Sequence, residues 1–277
     1  MSDIERYMKI LRRMMVFIIS VSCLLTIIAC SEDSTVEYAT VIIKVMTADD
    51  TPVNNAIVLL ENNNGSQSMI YIQTTNDGTV VFYEVVQGVY KIFINSSDYK
   101  DTHLNFLINS SIVTHSFTVY KIGDIGPAGG LIFYDKGAFT DGWRYLEAAP
   151  TDEFNQTFVP FYYVSGTSHT VGSGNKNTQL LVAFLNSQGM FGYDPQLCAD
   201  KTLNGFSDWF LPSRDELSFM YSNLHVSGKG GFQNSWYGYS SLVNNEEAWC
   251  MDFVSGFLHT STNNIPDPPR VRAIRAF

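Results

Sequence analysis

The chain has 277 residues, more than a single domain usually needs, so two domains are the starting expectation. Hydrophobic residues make up 45% and charged ones only 16%, a balance that excludes an intrinsically disordered chain. With 17 Lys and Arg against 27 Asp and Glu, the net charge of −10 repels phosphate backbones and sulfated polysaccharides, which argues against nucleic acid as a partner.

Arg6, Lys9, Arg12 and Arg13 precede an uncharged apolar run from Met14 to Ala29. A basic segment followed by such a run has the layout of an export signal, and its roughly 16 residues fall short of the 20 or so that a spanning helix needs. The run ends in Ile27-Ile28-Ala29-Cys30, which resembles the lipobox of bacterial lipoprotein signal peptides. That resemblance implies a signal peptide over 1–29, a lipid on the Cys30 thiol and a membrane partner reached through that lipid. It places the remainder in the cell envelope, facing the periplasm or the exterior, with 30–36 as a polar tether. An uncleaved membrane anchor with a coincidental cysteine is the alternative. Removal of 1–29 leaves 13 basic and 25 acidic residues, or −12. Cys23 leaves with the signal, so Cys198 and Cys250 remain; an exported compartment permits a disulfide between them, and two buried free thiols are the other reading.

From Tyr38 the pattern turns to short β-rich runs separated by turn residues. Strands are expected at 40–45, 56–60, 70–74, 79–83, 89–94, 104–108 and 112–120, with turns at Asp49-Asp50-Thr51-Pro52, at 62–66 and at Asn76-Asp77-Gly78. Seven short strands at this spacing predict a β-sandwich over 37–121. The segments Thr75 to Phe82, Val85 to Tyr90 and Ser97-Asp98-Tyr99 resemble the carboxypeptidase regulatory-like family of prealbumin-type sandwiches. The resemblance implies a spacer or adhesion module. Asp77 reads as a turn residue in preference to a metal ligand.

Residues 122–277 open on a Gly-rich string, Ile122 to Gly130, that superficially resembles a phosphate-binding loop but lacks the GK[ST] ending and precedes a strand, 131–134. Three helices follow from caps and period: one with Asn177 as N-cap, ending near Gly189; one opening at Asp194-Pro195 and stopping at Asn204-Gly205; and one opening with the capping box Ser213-Arg214-Asp215-Glu216. Extended segments are expected at 236–241, 248–253, 257–260 and 271–277, the last pairing with 131–134. Strands around a helical middle indicate α+β.

The segment Asn204-Gly205-Phe206-Ser207-Asp208-Trp209-Phe210-Leu211-Pro212-Ser213-Arg214-Asp215-Glu216-Leu217, with Tyr237 to Ser241, Ala248-Trp249, Asp252-Phe253, Gly256 and Val271-Arg272-Ala273-Ile274-Arg275, resembles the Legionella collagen-like protein C-terminal domain family. This resemblance implies a C-type lectin-like fold and a surface protein, with some members adhering to host polysaccharide or protein. Phe210 departs from the family's D-W-R-L-P, and Trp236-Tyr237-Gly238-Tyr239 from its Y-W. The fold class expected is therefore an all-β sandwich followed by an α+β C-type lectin-like domain.

The five histidines show no zinc-binding spacing, and no G-x-S-x-G elbow occurs, so neither a metal, a cofactor nor a catalytic set is expected. Distant likeness to formylglycine-generating folds keeps a cell-envelope enzyme or enzyme accessory as the alternative to a non-enzymatic binding or adhesion module. Trp209 and Trp249 read as core, and Arg272 and Arg275 as partners of carboxylates such as Asp208 or Asp252. Trp236, Tyr237 and Tyr239 follow a Gly-rich loop and, with Asn244, Asn245 and Glu246 nearby, read as exposed aromatic and polar groups for a carbohydrate or host-protein ligand, a merely solvated loop being the other reading.

Overall fold

The computed structural model describes residues 36–63, 70–153, 164–242, 248–261 and 269–277. The expected signal, Cys30 and most of the tether lie outside the described residues.

The N-terminal part is built from β1 (Tyr38–Thr47), β2 (Ile57–Asn62), β3 (Ile70–Gln73), β4 (Thr79–Val86), β5 (Gly88–Asn95), β6 (Lys100–Ile108) and β7 (Ile112–Val119). All seven expected strands are present. They form two sheets, β4-β1-β7 and β3-β2-β5-β6, that face each other as a sandwich. The reason is visible in β1, where alternate residues Val41, Ile43 and Val45 are buried while Ile42 and Lys44 point outward. Val58, Leu60, Ile92 and Ile94 meet them from the second sheet, with Val80, Phe82 and Tyr90 completing the core. In the turn before β4, Gly78 has φ +76°, and a Cβ there would lie 2.4 Å from the Val45 carbonyl oxygen, so only glycine fits. Asp77 accepts from the Thr79 N–H at 3.1 Å, the turn role expected of it.

Two pairings fix the direction of this body. β1 runs antiparallel to β4, while β1 and β7 run parallel from Thr40↔Ile112 to Thr47↔Val119. The chain therefore comes in at the Tyr38 end and leaves at the Thr47 end. Ten residues of strand separate the two by about 33 Å.

The C-terminal part contains β8 (Leu131–Thr140), β9 (Trp143–Ala148), α1 (Gly174–Ser187), α2 (Asp194–Ala199), α3 (Arg214–Met220) running into a π-helical turn at Tyr221–His225, β10 (Trp236–Leu242), β11 (Ala248–Asp252), β12 (Leu258–Ser261) and β13 (Ile274–Ala276). The sheets are β13-β9-β8 and β10-β11-β12. The terminal strand does not pair with β8 as expected. It pairs with β9, Ile274↔Ala148 through Ala276↔Leu146, because β9 lies between them. Helix α1 starts at Gly174, three residues ahead of Asn177, which is buried within it and donates to the Ser168 carbonyl at 2.7 Å. Helix α2 ends at Ala199, well short of Asn204. The capping box of α3 is formed: the Ser213 N–H donates to Glu216 Oε2 at 2.6 Å and the Ser213 hydroxyl accepts from the Glu216 N–H. The same carboxylate accepts from the Gly172 N–H at 2.7 Å, tying the start of α1 to α3.

The cores of the two parts share no residue. They meet through Arg144 on β9, which pairs with Asp101 on β6 and holds Asp135 on β8 in two bonds of 2.7 and 3.0 Å. Beside this pair, the Tyr120 ring stands edge-on to Tyr145 at 5.5 Å and to Phe277 at 5.6 Å.

Candidate functional site

The strand Trp236 to Leu242 presents alternate residues to opposite faces of the β10-β11-β12 sheet. Tyr237, Tyr239 and Met251 face inward and join the core with Phe253 and Leu224. The expectation that Tyr237 and Tyr239 are exposed is therefore wrong: they are 0% and 4% exposed. Once Trp236 points outward, a period of two sends its neighbour inward. The Tyr237 ring packs on Phe253 at 4.2 Å, while its hydroxyl donates to Asp152 Oδ2 at 2.8 Å and accepts from the Gln233 N–H. Asn244, Asn245, Glu246 and the Trp249 side chain lie outside what the structure describes. Trp209 is buried in a core, as expected.

Register places Trp236 opposite Asp252, and Cys250 opposite His259, so Trp236, Asp252 and His259 share the outer face. The half-buried Trp236 ring meets the exposed His259 imidazole edge-on, centroid to centroid 4.8 Å. Asp252 is fixed by the turn that follows it: its Oδ1 accepts from the Val254 N–H at 2.8 Å and its Oδ2 from the Ser255 hydroxyl at 2.6 Å. Slight burial works against ionisation, yet these bonds and the nearby His259 hold its carboxyl below the usual range. The exposed side chains of Val254 and Phe257 flank the turn. An indole, an oriented carboxylate and an imidazole on this side of the sheet, around the buried Cys250, can stack on an apolar ring face and bond to hydroxyl groups around it. No single-sequence signal joins these three residues, since cross-strand partners depend on register.

The arginines expected to be structural are so, with one change of partner. Arg275 grips Asp208 in two bonds of 2.9 Å and also reaches Glu147 Oε2 at 3.2 Å. Arg272 pairs with Asp152 at 2.6 Å rather than with Asp252, which its own turn already occupies. The Gly-rich string has taken its anion from within the chain. The N–H groups of Ala128 and Gly130 donate to Glu147 Oε1 at 3.1 and 2.7 Å, leaving no cradle for a phosphate.

Cys198 and Cys250 are both free, so the disulfide that export permits is not formed. Cys198 sits in the core beside Ala128, Trp209 and Leu211, whereas Cys250 lies on β11 with its thiol toward the His259 carbonyl. Burial, and then the Asp252 charge, pushes the Cys250 thiol up to about 12, and burial pushes Cys198 up as well, so neither is a nucleophile. Among the described residues no group of three or more His, Cys, Asp or Glu is arranged to hold a metal ion. No helix among them is long and apolar enough to cross a membrane.

No family model matches the chain. No curated protein matches it significantly either. Among solved structures it is similar to a fimbrial protein from Bacteroides ovatus ATCC 8483, at 11% identity over 87% of this chain and 71% of that one, with a TM-score of 0.41. A proposed carbohydrate-binding protein from Bacteroides uniformis ATCC 8492 matches at 14% identity over 42% of this chain and 47% of its own, TM-score 0.26. The major pilin subunit BcpA of Bacillus cereus matches at 13% identity over 30% of each chain, TM-score 0.24. The chain thus spans less than half the length of the last two.

Proposed function

We propose that this chain is a non-enzymatic binding or adhesion lipoprotein of the cell envelope, anchored by lipid on Cys30, that displays a ligand site on its C-terminal domain. The reading divides the chain into a sandwich of the carboxypeptidase regulatory-like kind at 37–121 and an α+β, C-type lectin-like domain at 122–277. The observation that carries it is the outward Trp236, Asp252 and His259 group. The ligand class is a carbohydrate or a host or matrix protein. The sandwich supports this role as a spacer, because the chain comes in at one end and leaves about 33 Å away at the other. Export is supported by the basic segment, the short apolar run and Ile27-Ile28-Ala29-Cys30.

Full-length protein in detergent micelles, applied to an array of glycans and matrix proteins, tests the reading. Binding to a restricted set, lost on Trp236→Ala, is the expected result. Uniform absence of binding, or binding indifferent to Trp236, overturns it.

A further inference from the structure

The sandwich exposes apolar side chains at the end where the chain comes in. Val36, Tyr38, Tyr83, Leu107 and Ile112 are each more than half exposed. Register gathers them. Tyr38 opens β1, Ile112 lies opposite Thr40 on β7, Tyr83 sits in the β4 bulge facing the same stretch of β1, and Leu107 pairs with Val89 just after the β4–β5 turn. Tyr38, Tyr83 and Ile112 occupy the outer face of one sheet and Leu107 that of the other, so they ring this end as a collar. Isolated surface apolars need no explanation, but a ring of five at one end of a small body does.

We infer that this collar rests in the headgroup region of the membrane that holds the anchor, so that the sandwich stands on the lipid surface. The inference rests on the anchored reading above. Only six residue steps lead from Cys30 to Val36. Fully extended they reach about 20 Å, and as a flexible chain they span on average about 14 Å. Both distances are shorter than the sandwich itself, so the collar is held beside the lipid at high effective concentration. Tyrosine, with an apolar ring and a polar tip, suits that interface. The turns at this end, 86–88 and 108–112, contain no basic residue, while the neighbouring Glu37 and Glu84 are exposed. Contact is therefore driven by burial of the apolar side chains, and anionic lipid does not strengthen it.

The test uses the full chain inserted through its own N-terminus into phosphatidylcholine nanodiscs containing spin-labelled lipid. Tyr38→Cys and Ile112→Cys each carry an environment-sensitive fluorophore, and Ile57→Cys, an exposed apolar position at the opposite end, serves as the reference; the parent protein gives the labelling blank. Quenching at 38 and 112 at least about twofold stronger than at 57, unchanged or weaker with phosphatidylglycerol added, is expected. Equal quenching at all three positions on nanodisc-bound protein overturns the inference and leaves the anchor standing. Protein that does not stay with the nanodisc overturns the anchored reading, and the inference with it.

Discussion

Arg144 and Asp101 form an ion pair across the boundary between two separate cores, with side chains only 2% and 5% exposed. The other oxygen of Asp101 lies 2.8 Å from His103 Nε2, so both of its oxygens are engaged. Removing one member of a buried pair strands the other, which typically costs about 3–5 kcal/mol. Arg144→Met is therefore expected to lower stability by roughly 3 kcal/mol in denaturant titration. Asp101→Leu combined with Arg144→Met should recover most of that loss, since Asp135, the third member, has a side chain 30% exposed and can be solvated. A double variant as unstable as the single one would show that the pair is not what joins the parts.

Asp194 offers a pH prediction. Its Oδ1 is buried with no hydrogen-bond partner, and burial pushes the carboxyl up from 3.8 to about 7. Between those values the unfolded chain has released the proton that the folded chain keeps, so stability falls as pH rises through this window and is level above it. At about 1.36 kcal/mol per unit the effect has a ceiling of about 4 kcal/mol. Asp194→Asn should be the more stable protein at pH 8 and equal to the parent at pH 4, measured by thermal unfolding across that range. Parallel stability profiles for the two proteins would contradict this assignment.

The sandwich was legible because β1 alternates strictly and each strand is bounded by turn residues, and α3 because Ser213 and Glu216 are local in sequence. What escaped reading depended on distant partners. β9 carries Arg144 and Glu147, charges that break an apolar pattern yet are both buried by Asp101, Arg275 and the Gly-rich loop. Without that strand the partner of β13 could not be assigned correctly. At the site, Trp236 stood out by composition, but Asp252 and His259 join it only through register. Tyr237 and Tyr239 form one aromatic cluster with Trp236 in the sequence, but the strand's pleat alternates faces and turns both of them inward.

The Gly126 to Gly130 loop should tolerate no side chain at its first residue. A Cβ on Gly126 would lie 2.5 Å from Glu147 Cδ, and Glu147 is fully buried with Arg275 on its other oxygen. Gly126→Ala is expected to cost about 1–3 kcal/mol through overpacking. Combined with Glu147→Ala it should cost less than the two changes summed, because the clash disappears with the carboxylate; chemical denaturation of the four proteins closes the cycle. Additive effects would mean that the loop does not depend on Glu147.

The two faces of β10 should separate binding from stability. Trp236 is half-buried against His259 and, among the described residues, is not part of the core cluster, so Trp236→Ala is expected to change stability by less than about 1 kcal/mol while weakening ligand capture at least tenfold. Asp252→Asn should also weaken capture, since it keeps the shape of the turn but removes the charge facing His259. Tyr237→Phe is the opposite case. It takes a hydroxyl from Asp152 and an acceptor from the Gln233 N–H in a buried site, so it should cost about 1–2 kcal/mol of stability and leave capture unchanged. Array binding and thermal unfolding measured on all three variants give each a pair of readings. Loss of capture in Tyr237→Phe but not in Trp236→Ala would place the ligand somewhere other than the outer face.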